Sequence, residues 1–281
     1  MSGFETIQHT FTTAHAFAAL QSSREVTMTV THDGRHYQLV MFDLDDTLAP
    51  SKSPMDDSMV EVFGRLLDRS MACIISGGRF EQFQVQVLDR LGDDVNRPNL
   101  HLMPTNGTQY VRWDGSEWAT VYAEYLTDDE KQRTLTTLET GAKELGLWET
   151  ETWGPVLEDR GSQITFSALG QAAPVDAKKA WDPDGRKKES LRAYAAQRLP
   201  DLEVRSGGST SVDVTRKGID KSYGARRLME ILDLGVDDIL FYGDRLDDGG
   251  NDRPVMELGI TSIGVTDWHD TLGKLTALLD E

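Results

Sequence analysis

Short apolar runs alternate with amphipathic segments over much of this chain, and this rhythm limits the possible fold more than any other feature. YQLVMF (37–42) is typical of a buried strand, and SMVEVFGRLLDR (58–69) follows it with helical spacing. MACIIS (71–76) and RFEQFQVQVLDRL (79–91) repeat the pair, and LHLMP (100–104) is a third apolar run. Strand–helix–strand alternation predicts an α/β fold with a Rossmann-like core, in which helices flank a parallel sheet.

The middle of the chain breaks this rhythm. A strongly amphipathic helix is predicted over 127–147, with Thr127 as its N-cap. Short strand-like segments and one more helix follow, and they cover residues 155–159, 162–170, 189–199, 202–206 and 211–215. Runs of strands with segregated helices favour a separate α+β domain.

The α/β rhythm returns over three segments, KSYGARRLMEILDLG (221–235), DILFYGD (238–244) and ITSIGV (260–265). One domain is therefore predicted to be inserted into another. We expect a core domain over residues 36–120 and 216–281, and an α+β cap domain over residues 121–215. Residues 1–35 show no clear period and form an N-terminal extension of unknown role.

The chain is strongly acidic, and its charge restricts the partners it can have. It contains 47 Asp and Glu residues against 29 Lys and Arg residues, which gives a formal net charge of −18. A field of this sign repels nucleic acid and anionic membrane surfaces, so we expect neither as a partner. An anionic ligand would need a site made locally positive by a metal ion or by a few placed Lys and Arg side chains.

Cysteine content and the N-terminal sequence indicate the compartment. Cys73 is the only cysteine, so a disulfide framework and a cysteine-rich zinc site are excluded, and a buried thiol is expected. The N-terminal segment has no basic start and no continuous apolar run, so it does not match a signal peptide. We expect a cytoplasmic protein.

The stretch MFDLDDTLAP places Asp43, Asp45 and Asp46 directly after the first buried strand. A surface turn could hold them, because Asp favours turns and helix N-caps. Ligands of open α/β sheets, however, bind beyond the carboxyl ends of the strands. Ser76 and Asp244 end two further predicted strands, so we expect all these strand-end side chains to lie around one crevice.

Such a crevice suits a divalent metal ion and phosphoryl transfer. Mg²⁺ prefers oxygen ligands, which Asp43, Asp244 and the backbone carbonyl of Asp45 could supply. One carboxylate could attack phosphorus and form an aspartyl-phosphate, and its neighbour two residues on could protonate the leaving oxygen and later deprotonate water. Ser76 could donate hydrogen bonds to the phosphoryl oxygens, and a lysine of TRKGIDKSYG could supply positive charge.

Four motifs, in this order, resemble the haloacid dehalogenase (HAD) superfamily: DLDDT, SGG, KGIDK and GDRLDDGGND. The position of the insertion, after the third strand, is similar to that in subfamily IIB, whose members carry an α+β cap. Further motifs, TNGTQYV, GGSTSVDV, GIDKSYG and WDPDGRKKESLR, resemble the eukaryotic-type phosphomannomutases. The likeness runs from about Gln38 to Asp270, and it implies a HAD-like core with an inserted cap, Mg²⁺ as cofactor and a homodimer formed through the cap.

The resemblance implies a role for each motif residue. The catalytic residues would be the nucleophile Asp43, the general acid and base Asp45, the phosphate ligand Ser76, and Lys221, which matches the family's lysine better than Lys217. Mg²⁺ would bind Asp43, Asp45 and Asp244, with Asn251 and Asp252 ordering the metal loop. The small-molecule phosphate ester would contact Lys52, Gly77, Arg160, Ser211 and Asp213.

Departures from the mutase pattern bear on the reaction. Mutases of this kind keep a cluster of arginines for the phosphate that is not reacting. Those positions here hold Lys52, Trp153 and Gln171, and only Arg160 remains. None of these three side chains replaces arginine's planar fork at a bidentate site. Asp46 also stands where those mutases usually have glycine, and DLDDT is common among hydrolases of the superfamily.

We therefore predict a Mg²⁺-dependent phosphatase that hydrolyses a small phosphorylated metabolite, above all a sugar phosphate, through an aspartyl-phosphate. One alternative is a phosphomannomutase-like sugar-phosphate isomerase, against which the missing arginines argue. The other is a non-catalytic sugar-phosphate sensor, which the presence of both Asp43 and Asp45 does not support.

Overall fold

The structure, a computed structural model, describes residues 28–280. Residues 1–27, which make up most of the predicted extension, and residue 281 lie outside the described part. The described chain forms a sheet of seven strands, a sheet of four strands and a small hairpin. Strands of the seven-stranded sheet come from both ends of the described range, and the four-stranded sheet lies between them in sequence.

The strands of residues 28–280 are, in chain order, β1 (Val30–His32), β2 (Arg35–Tyr37), β3 (Leu39–Phe42), β4 (Met71–Ile75), β5 (Leu100–Met103), β6 (Gln109–Trp113), β7 (Trp118–Ala123), β8 (Leu157–Asp159), β9 (Gln163–Ser167), β10 (Leu202–Ser206), β11 (Ser211–Arg216), β12 (Ile239–Gly243) and β13 (Thr261–Gly264). The α-helices are α1 (Asp57–Leu67), α2 (Phe80–Gln86), α3 (Asp128–Glu144), α4 (Val175–Trp181), α5 (Arg186–Arg198), α6 (Lys221–Leu232), α7 (Arg253–Glu257) and α8 (Trp268–Asp280). None of the described helices is both long enough and apolar enough to cross a membrane.

Five parallel strands form most of the seven-stranded sheet, in the order β13-β12-β3-β4-β5, and antiparallel β6 and β7 extend one side. β3, β4 and β12 are nearly continuous apolar runs because both of their faces are covered. This arrangement confirms the predicted α/β fold, with a largely parallel sheet and flanking helices.

Alternate residues of the central strands pack against different helices. In β3, Val40 and Phe42 belong to the apolar cluster formed with α1 and α8, whereas Leu39 and Met41 belong to the cluster formed with α6 and α7. The same alternation places Cys73 of β4 in the second cluster, where it is fully buried, as predicted. The sheet is therefore held between two apolar layers, which fix the positions of its strand ends.

The four-stranded sheet, in the order β10-β11-β9-β8, is antiparallel throughout. Ile164 and Phe166 of β9, with Val212 and Val214 of β11, pack against α3, α4 and α5. The residues that alternate with them are polar, because successive side chains of a strand point to opposite faces. This sheet therefore has an apolar face under the helices and an opposite polar face.

The two chain segments that connect the sheets are tied to each other. β7 ends at Ala123, and α3 begins after its N-cap Thr127, as predicted, in a capping box with Glu130. Arg216, the last residue of β11, donates to the Glu130 carboxylate at 2.9 Å. The outgoing and returning connections are thus joined by one ion pair.

Candidate active site

The carboxyl ends of three neighbouring strands meet at one edge of the seven-stranded sheet. Asp43 follows β3, Ser76 follows β4 and Asp244 follows β12, and β3 lies between the other two strands. Asp43, Asp244 and Asp252 each place one carboxylate oxygen within 4.8 Å of the other two. The structure thus brings together Asp43 and Asp244, and adds Asp252 from the end of the loop before α7.

Lys221 is buried among these carboxylates. Its Nζ donates to Asp43 Oδ1, and to Asp252 Oδ1 at 2.5 Å. Asp220 caps α6 by accepting from two backbone amides of its first turn, at 2.9 and 3.2 Å, which places Lys221 at the first helical position. Lys217, the other lysine of the motif, is exposed.

Two motif glycines allow α6 to approach the strand ends closely. A Cβ on Gly107 would lie 2.3 Å from the Cα of Gly224, and Gly107 also has a φ of +83°, which strains other residues. A side chain at either position would push the first turn of α6, and Lys221 with it, away from Asp43. The glycines of TNGTQYV and KSYG therefore have a packing explanation that bears directly on the site.

The buried cluster carries more negative than positive charge. Burial raises the pKa of Asp43 and, although Lys221 opposes this, the charges of Asp252 and Asp244 add to it, so the net shift is upward. Burial and the charge of Asp252 raise the pKa of Asp244 to about 6. Burial would lower the pKa of Lys221, but Asp252 and Asp43 raise it by more, so the lysine stays charged.

This imbalance fits a divalent cation. Three ionised carboxylates and one ammonium leave two negative charges uncompensated, and burying an uncompensated charge is strongly unfavourable. All the donor atoms are carboxylate oxygens, which hard cations such as Mg²⁺ prefer. Asp43 and Asp244 could hold the ion, and the predicted third ligand is the backbone carbonyl of Asp45.

Asp252 has more contacts than the ordering of a loop requires. Its Oδ1 accepts from Lys221, its Oδ2 accepts from the backbone amide of Arg245 at 3.0 Å, and its own amide donates to Arg245 O at 3.1 Å. Asn251 is exposed, so of these two predicted loop residues only Asp252 reaches the carboxylate cluster. Asp252 therefore positions Lys221 as well as the loop.

Asp45 lies in a different environment from Asp43. Four donors hold its carboxylate: Lys52 N at 2.8 Å, Lys52 Nζ at 2.6 Å, Gln82 Nε2 at 2.9 Å and Gln86 Nε2 at 3.2 Å. Burial would raise the pKa of Asp45, but the charge and hydrogen bonds of Lys52 lower it by more, so the pKa lies below its usual value. In this structure Asp45 is therefore an ionised carboxylate held by Lys52, and its side chain is not part of the cluster of Asp43, Asp244 and Asp252.

Asp46 is a turn residue. Its φ is 60°, its backbone amide donates to Ala49 O at 2.8 Å, and its Oδ1 accepts from Ser51 N at 3.2 Å. The surface-turn explanation of the acidic run thus suits Asp46, whereas Asp43 and Asp45 are each held by a separate lysine.

The SGG loop contacts Arg160, which directly follows β8 of the four-stranded sheet. Ser76 is buried and its Oγ accepts from Gly78 N at 3.1 Å, which leaves its hydroxyl hydrogen able to donate. Gly77 O accepts from Arg160 Nη1 at 3.1 Å, and Arg160 also pairs with Glu158 at 2.9 Å. Two of the predicted substrate contacts, Gly77 and Arg160, are thus in contact with each other, one following a strand of the seven-stranded sheet and the other a strand of the four-stranded sheet.

The predicted substrate contacts Ser211 and Asp213 lie on the polar face of the four-stranded sheet, which is the sheet of the predicted cap and is called the cap sheet below. Ser211 is opposite Ser167 of β9, and Asp213 is opposite Thr165. Asp213 Oδ1 accepts from Thr165 Oγ1 at 2.7 Å and from Gln163 Nε2 at 2.9 Å. Thr165, Gln163 and Ser167 are almost fully buried. This face therefore offers hydroxyl and amide groups around one carboxylate.

Sequence reasoning does not identify three polar side chains near the site. Gln82 and Gln86 lie one turn apart on α2, and their spacing just after SGG is the one sequence signal that could have found them. Lys178 of α4 donates to Gln171 O at 2.7 Å. Burial lowers the pKa of Lys178, and so does the charge of Lys52. No local pattern signals that interaction.

Comparisons with known proteins agree with this architecture. The model of the family described as eukaryotic phosphomannomutase matches residues 59–281. A phosphomannomutase of Schizosaccharomyces pombe is 25% identical over 249 residues, which cover 86% of this chain and 94% of that protein. Human phosphomannomutase 1 is 24% identical over 221 residues, which cover 76% of this chain and 81% of that protein.

Solved structures show the same fold at lower identity. The C-terminally truncated IMP-nucleotidase of Plasmodium falciparum gives a TM-score of 0.66 at 17% identity, covering 87% of this chain and 71% of that one. A haloacid dehalogenase-like hydrolase from Bacteroides thetaiotaomicron gives 0.57 at 15% identity, covering 86% of this chain and 99% of that one. Because the family model matches well over half of the residues, the chain belongs to the eukaryotic phosphomannomutase family of the HAD superfamily.

Proposed function

We propose that this protein is a Mg²⁺-dependent phosphatase that hydrolyses a small phosphorylated metabolite, above all a sugar phosphate, through an aspartyl-phosphate. One observation carries the proposal: Asp43 is a buried carboxylate held by Lys221 within a cluster of carboxylates that could hold a metal ion, and a second carboxylate, Asp45, follows two residues on. Family membership supports phosphoryl transfer. The choice of water as acceptor depends on the anion-binding side chains.

Asp43 supplies the nucleophile in this mechanism. Its carboxylate oxygen attacks phosphorus, the bond between phosphorus and the leaving oxygen breaks, and that oxygen takes a proton from Asp45. Asp45 is ionised while it is paired with Lys52, so it would take up that proton from solvent once the lysine has moved to the substrate. Water then gives a proton to Asp45 and attacks phosphorus, which releases inorganic phosphate and restores Asp43. Lys221 and the Ser76 hydroxyl stabilise the negative charge. Mg²⁺ bound by Asp43 and Asp244 would supply further positive charge beside the phosphoryl oxygens.

The side chains available for a second phosphate favour hydrolysis. A mutase must hold both phosphates of a bisphosphate while the sugar changes orientation. Here Lys52 is paired with Asp45, Arg160 is paired with Glu158, and Trp153 is uncharged. Of these side chains only Arg160 has arginine's fork, and a second phosphate would have to compete with Glu158 for its guanidinium.

A phosphomannomutase-like sugar-phosphate isomerase is the second candidate. The names of the curated relatives favour it. Lys178 favours it too, because this cap lysine donates to a backbone carbonyl rather than to a carboxylate. Its charge is therefore available to an anionic group near Lys52.

The test uses purified protein, Mg²⁺ and a panel of sugar monophosphates, with hexose bisphosphate added to prime an isomerase. Free phosphate and isomerised sugar phosphate are measured in the same reactions. We expect free phosphate from one or a few substrates, lost on chelation of the metal and in Asp43→Asn, and retained in the matched variant Asp46→Asn. Interconversion of 1- and 6-phosphates without phosphate release would establish the isomerase instead. Neither product, with sugar-phosphate binding intact in Asp43→Asn, would favour the sensor.

A further inference from the structure

Two glutamines of α2 contact Asp45 on both of its oxygens. Gln86 Nε2 and the backbone amide of Lys52 donate to Oδ1, at 3.2 and 2.8 Å. Gln82 Nε2 and Lys52 Nζ donate to Oδ2, at 2.9 and 2.6 Å. The orientation of this carboxyl group is therefore set by one lysine and two amides.

Lys52 already uses two of the three hydrogens of its ammonium group within the protein, so only one remains for a substrate anion. Its Nζ donates to Asp45 and, at 2.8 Å, to Gln82 Oε1. Its side chain is 41% exposed, and its backbone has a φ of 55° in the turn closed by Ser53 N and Pro50 O. An exposed lysine on a turn can move its ammonium at little cost to packing. When it does, the two glutamines remain on Asp45.

We propose that Gln82 and Gln86 are positioning residues for Asp45, which keep its carboxyl group aimed at the leaving oxygen when Lys52 moves away to the anionic substrate. The inference rests on the proposed function, because it takes Asp45 as the group that transfers the proton. An amide suits this place, since its N–H can donate to the carboxylate. Gln86 Nε2 also donates to Ser53 O at 2.9 Å, so this amide is held in place independently of Lys52.

The test compares two aryl phosphates that differ in their need for a proton. Phenol is a poor leaving group, so release of phenol needs the general acid, whereas p-nitrophenol leaves without one. The ratio of kcat/KM for p-nitrophenyl phosphate to that for phenyl phosphate therefore rises when Asp45 is badly oriented for protonating the leaving oxygen. We expect Gln82→Leu and Gln86→Leu each to raise this ratio about tenfold, a part of the roughly 10²- to 10⁴-fold that general acid catalysis contributes as a whole. Gln84→Leu, an exposed glutamine on the same helix, leaves the ratio unchanged.

Lys52→Met separates positioning from ion pairing. Because Lys52 is displaced in the complex, this variant is expected to keep the ratio within about twofold of the wild type, as a group outside the proton-transfer step should. An equal fall of both substrates in the glutamine variants, or no fall, would show a merely structural role and overturn the proposal. A raised ratio in Lys52→Met would contradict the proposal that Lys52 leaves Asp45 when substrate binds. Gln86 is buried, so Gln86→Leu could fail to fold. Gln82 is only half-buried, so Gln82→Leu provides the test in that case.

The first turnover distinguishes this inference from the proposed function. A burst of phenol without continuing phosphate release would refute the hydrolase, but the burst rates would still give the ratio. Steady phosphate release with an unchanged ratio in both glutamine variants would refute the positioning role alone. Absence of phenol release, together with absence of phosphate release from the sugar-phosphate panel, would refute both.

Discussion

The core site and the polar face of the cap sheet differ in how many charged groups they contain. At the carboxyl end of the core sheet, Asp43, Asp252 and Lys221 are buried against one another. On β9 and β11 of the cap, hydroxyl and amide groups surround a single carboxylate, Asp213. Dense fixed charge suits a phosphoryl group, whereas neutral donors and acceptors suit sugar hydroxyls. We infer that the core supplies the chemistry and the cap supplies the selectivity.

Removing the buried lysine should give the largest effect on the core side of this comparison. Lys221→Met leaves Asp43 and Asp252 without their cation, and breaking a buried pair in this way costs about 3–5 kcal/mol of unfolding free energy. The measurement is urea unfolding of the metal-free protein at pH 8. Lys217→Met, at an exposed position of the same motif, should stay within about 0.5 kcal/mol of the wild type. Equal midpoints for the two variants would contradict a charge-dominated core.

Mg²⁺ should stabilise the core more than any neutral sugar stabilises the cap. At a free Mg²⁺ concentration one hundred times its Kd, the unfolding free energy should rise by about 2.7 kcal/mol. Asp244→Asn should remove this rise, and Asp248→Asn, at an exposed position of the same loop, should keep it. The measurement is the thermal midpoint with Mg²⁺ and with chelator. A rise that survives in Asp244→Asn would place the ion elsewhere.

The stabilisation by Mg²⁺ should also depend on pH. The pKa of Asp244 is raised from 3.8 to about 6, so the folded protein holds its proton more tightly than the unfolded chain does. In metal-free protein, the contribution of Asp244 to stability therefore falls as the pH rises from about 4 to about 6. Mg²⁺ needs the carboxylate, so its binding strengthens over the same range. We expect a larger rise in thermal midpoint at pH 8 than at pH 5, and an equal rise at both values would refute the role of this carboxyl group.

Sequence reasoning reached the core more fully than the cap, for a physical reason. Parallel strands end at a shared edge, so the ends of three apolar runs were enough to bring Asp43, Ser76 and Asp244 to one side of the sheet. Contacts that depend on how a helix or loop packs could not be predicted from the sequence. The bonds of Asp252 to Lys221 and of Gln82 to Asp45 join elements that are far apart in sequence, and no local pattern encodes them.

Some short elements were also missed, because a periodic pattern needs several residues before it can predict a helix or strand. The strand LEVRS of the cap was predicted at its observed bounds, since its alternation matches the pleat. The helices α4 and α7 have seven and five residues, and neither lies in a longer periodic stretch such as the one that revealed the seven-residue α2. The hairpin at Val30–Tyr37 lies partly in the region predicted to have no pattern, and its Asp33–Gly34 turn was the signal that could have revealed it.

The smallest expected effect, on the cap side, would sharpen the division of labour. Asp213→Asn keeps the shape of the side chain but removes the charge that Thr165 and Gln163 bind. If this carboxylate accepts a hydrogen bond from a sugar hydroxyl, its loss should raise KM about tenfold, which corresponds to about 1.4 kcal/mol. Because kcat depends on the core residues, it should change by less than about threefold. The measurement is steady-state phosphate release on the substrate found in the panel.

Glu203→Gln is the matched control for this prediction. Glu203 lies on the same face of the sheet, on the edge strand β10, and is 3.7 Å from Arg205, so it is occupied by a partner of its own. The variant Glu203→Gln should therefore leave KM unchanged. A fall in kcat in Asp213→Asn at constant KM would mean that the cap takes part in the chemical step, and the contrast between a charged reactive core and a neutral selective cap would then fail. A rise in KM confined to Asp213 would instead locate selectivity at the centre of the polar face, where β9 and β11 adjoin.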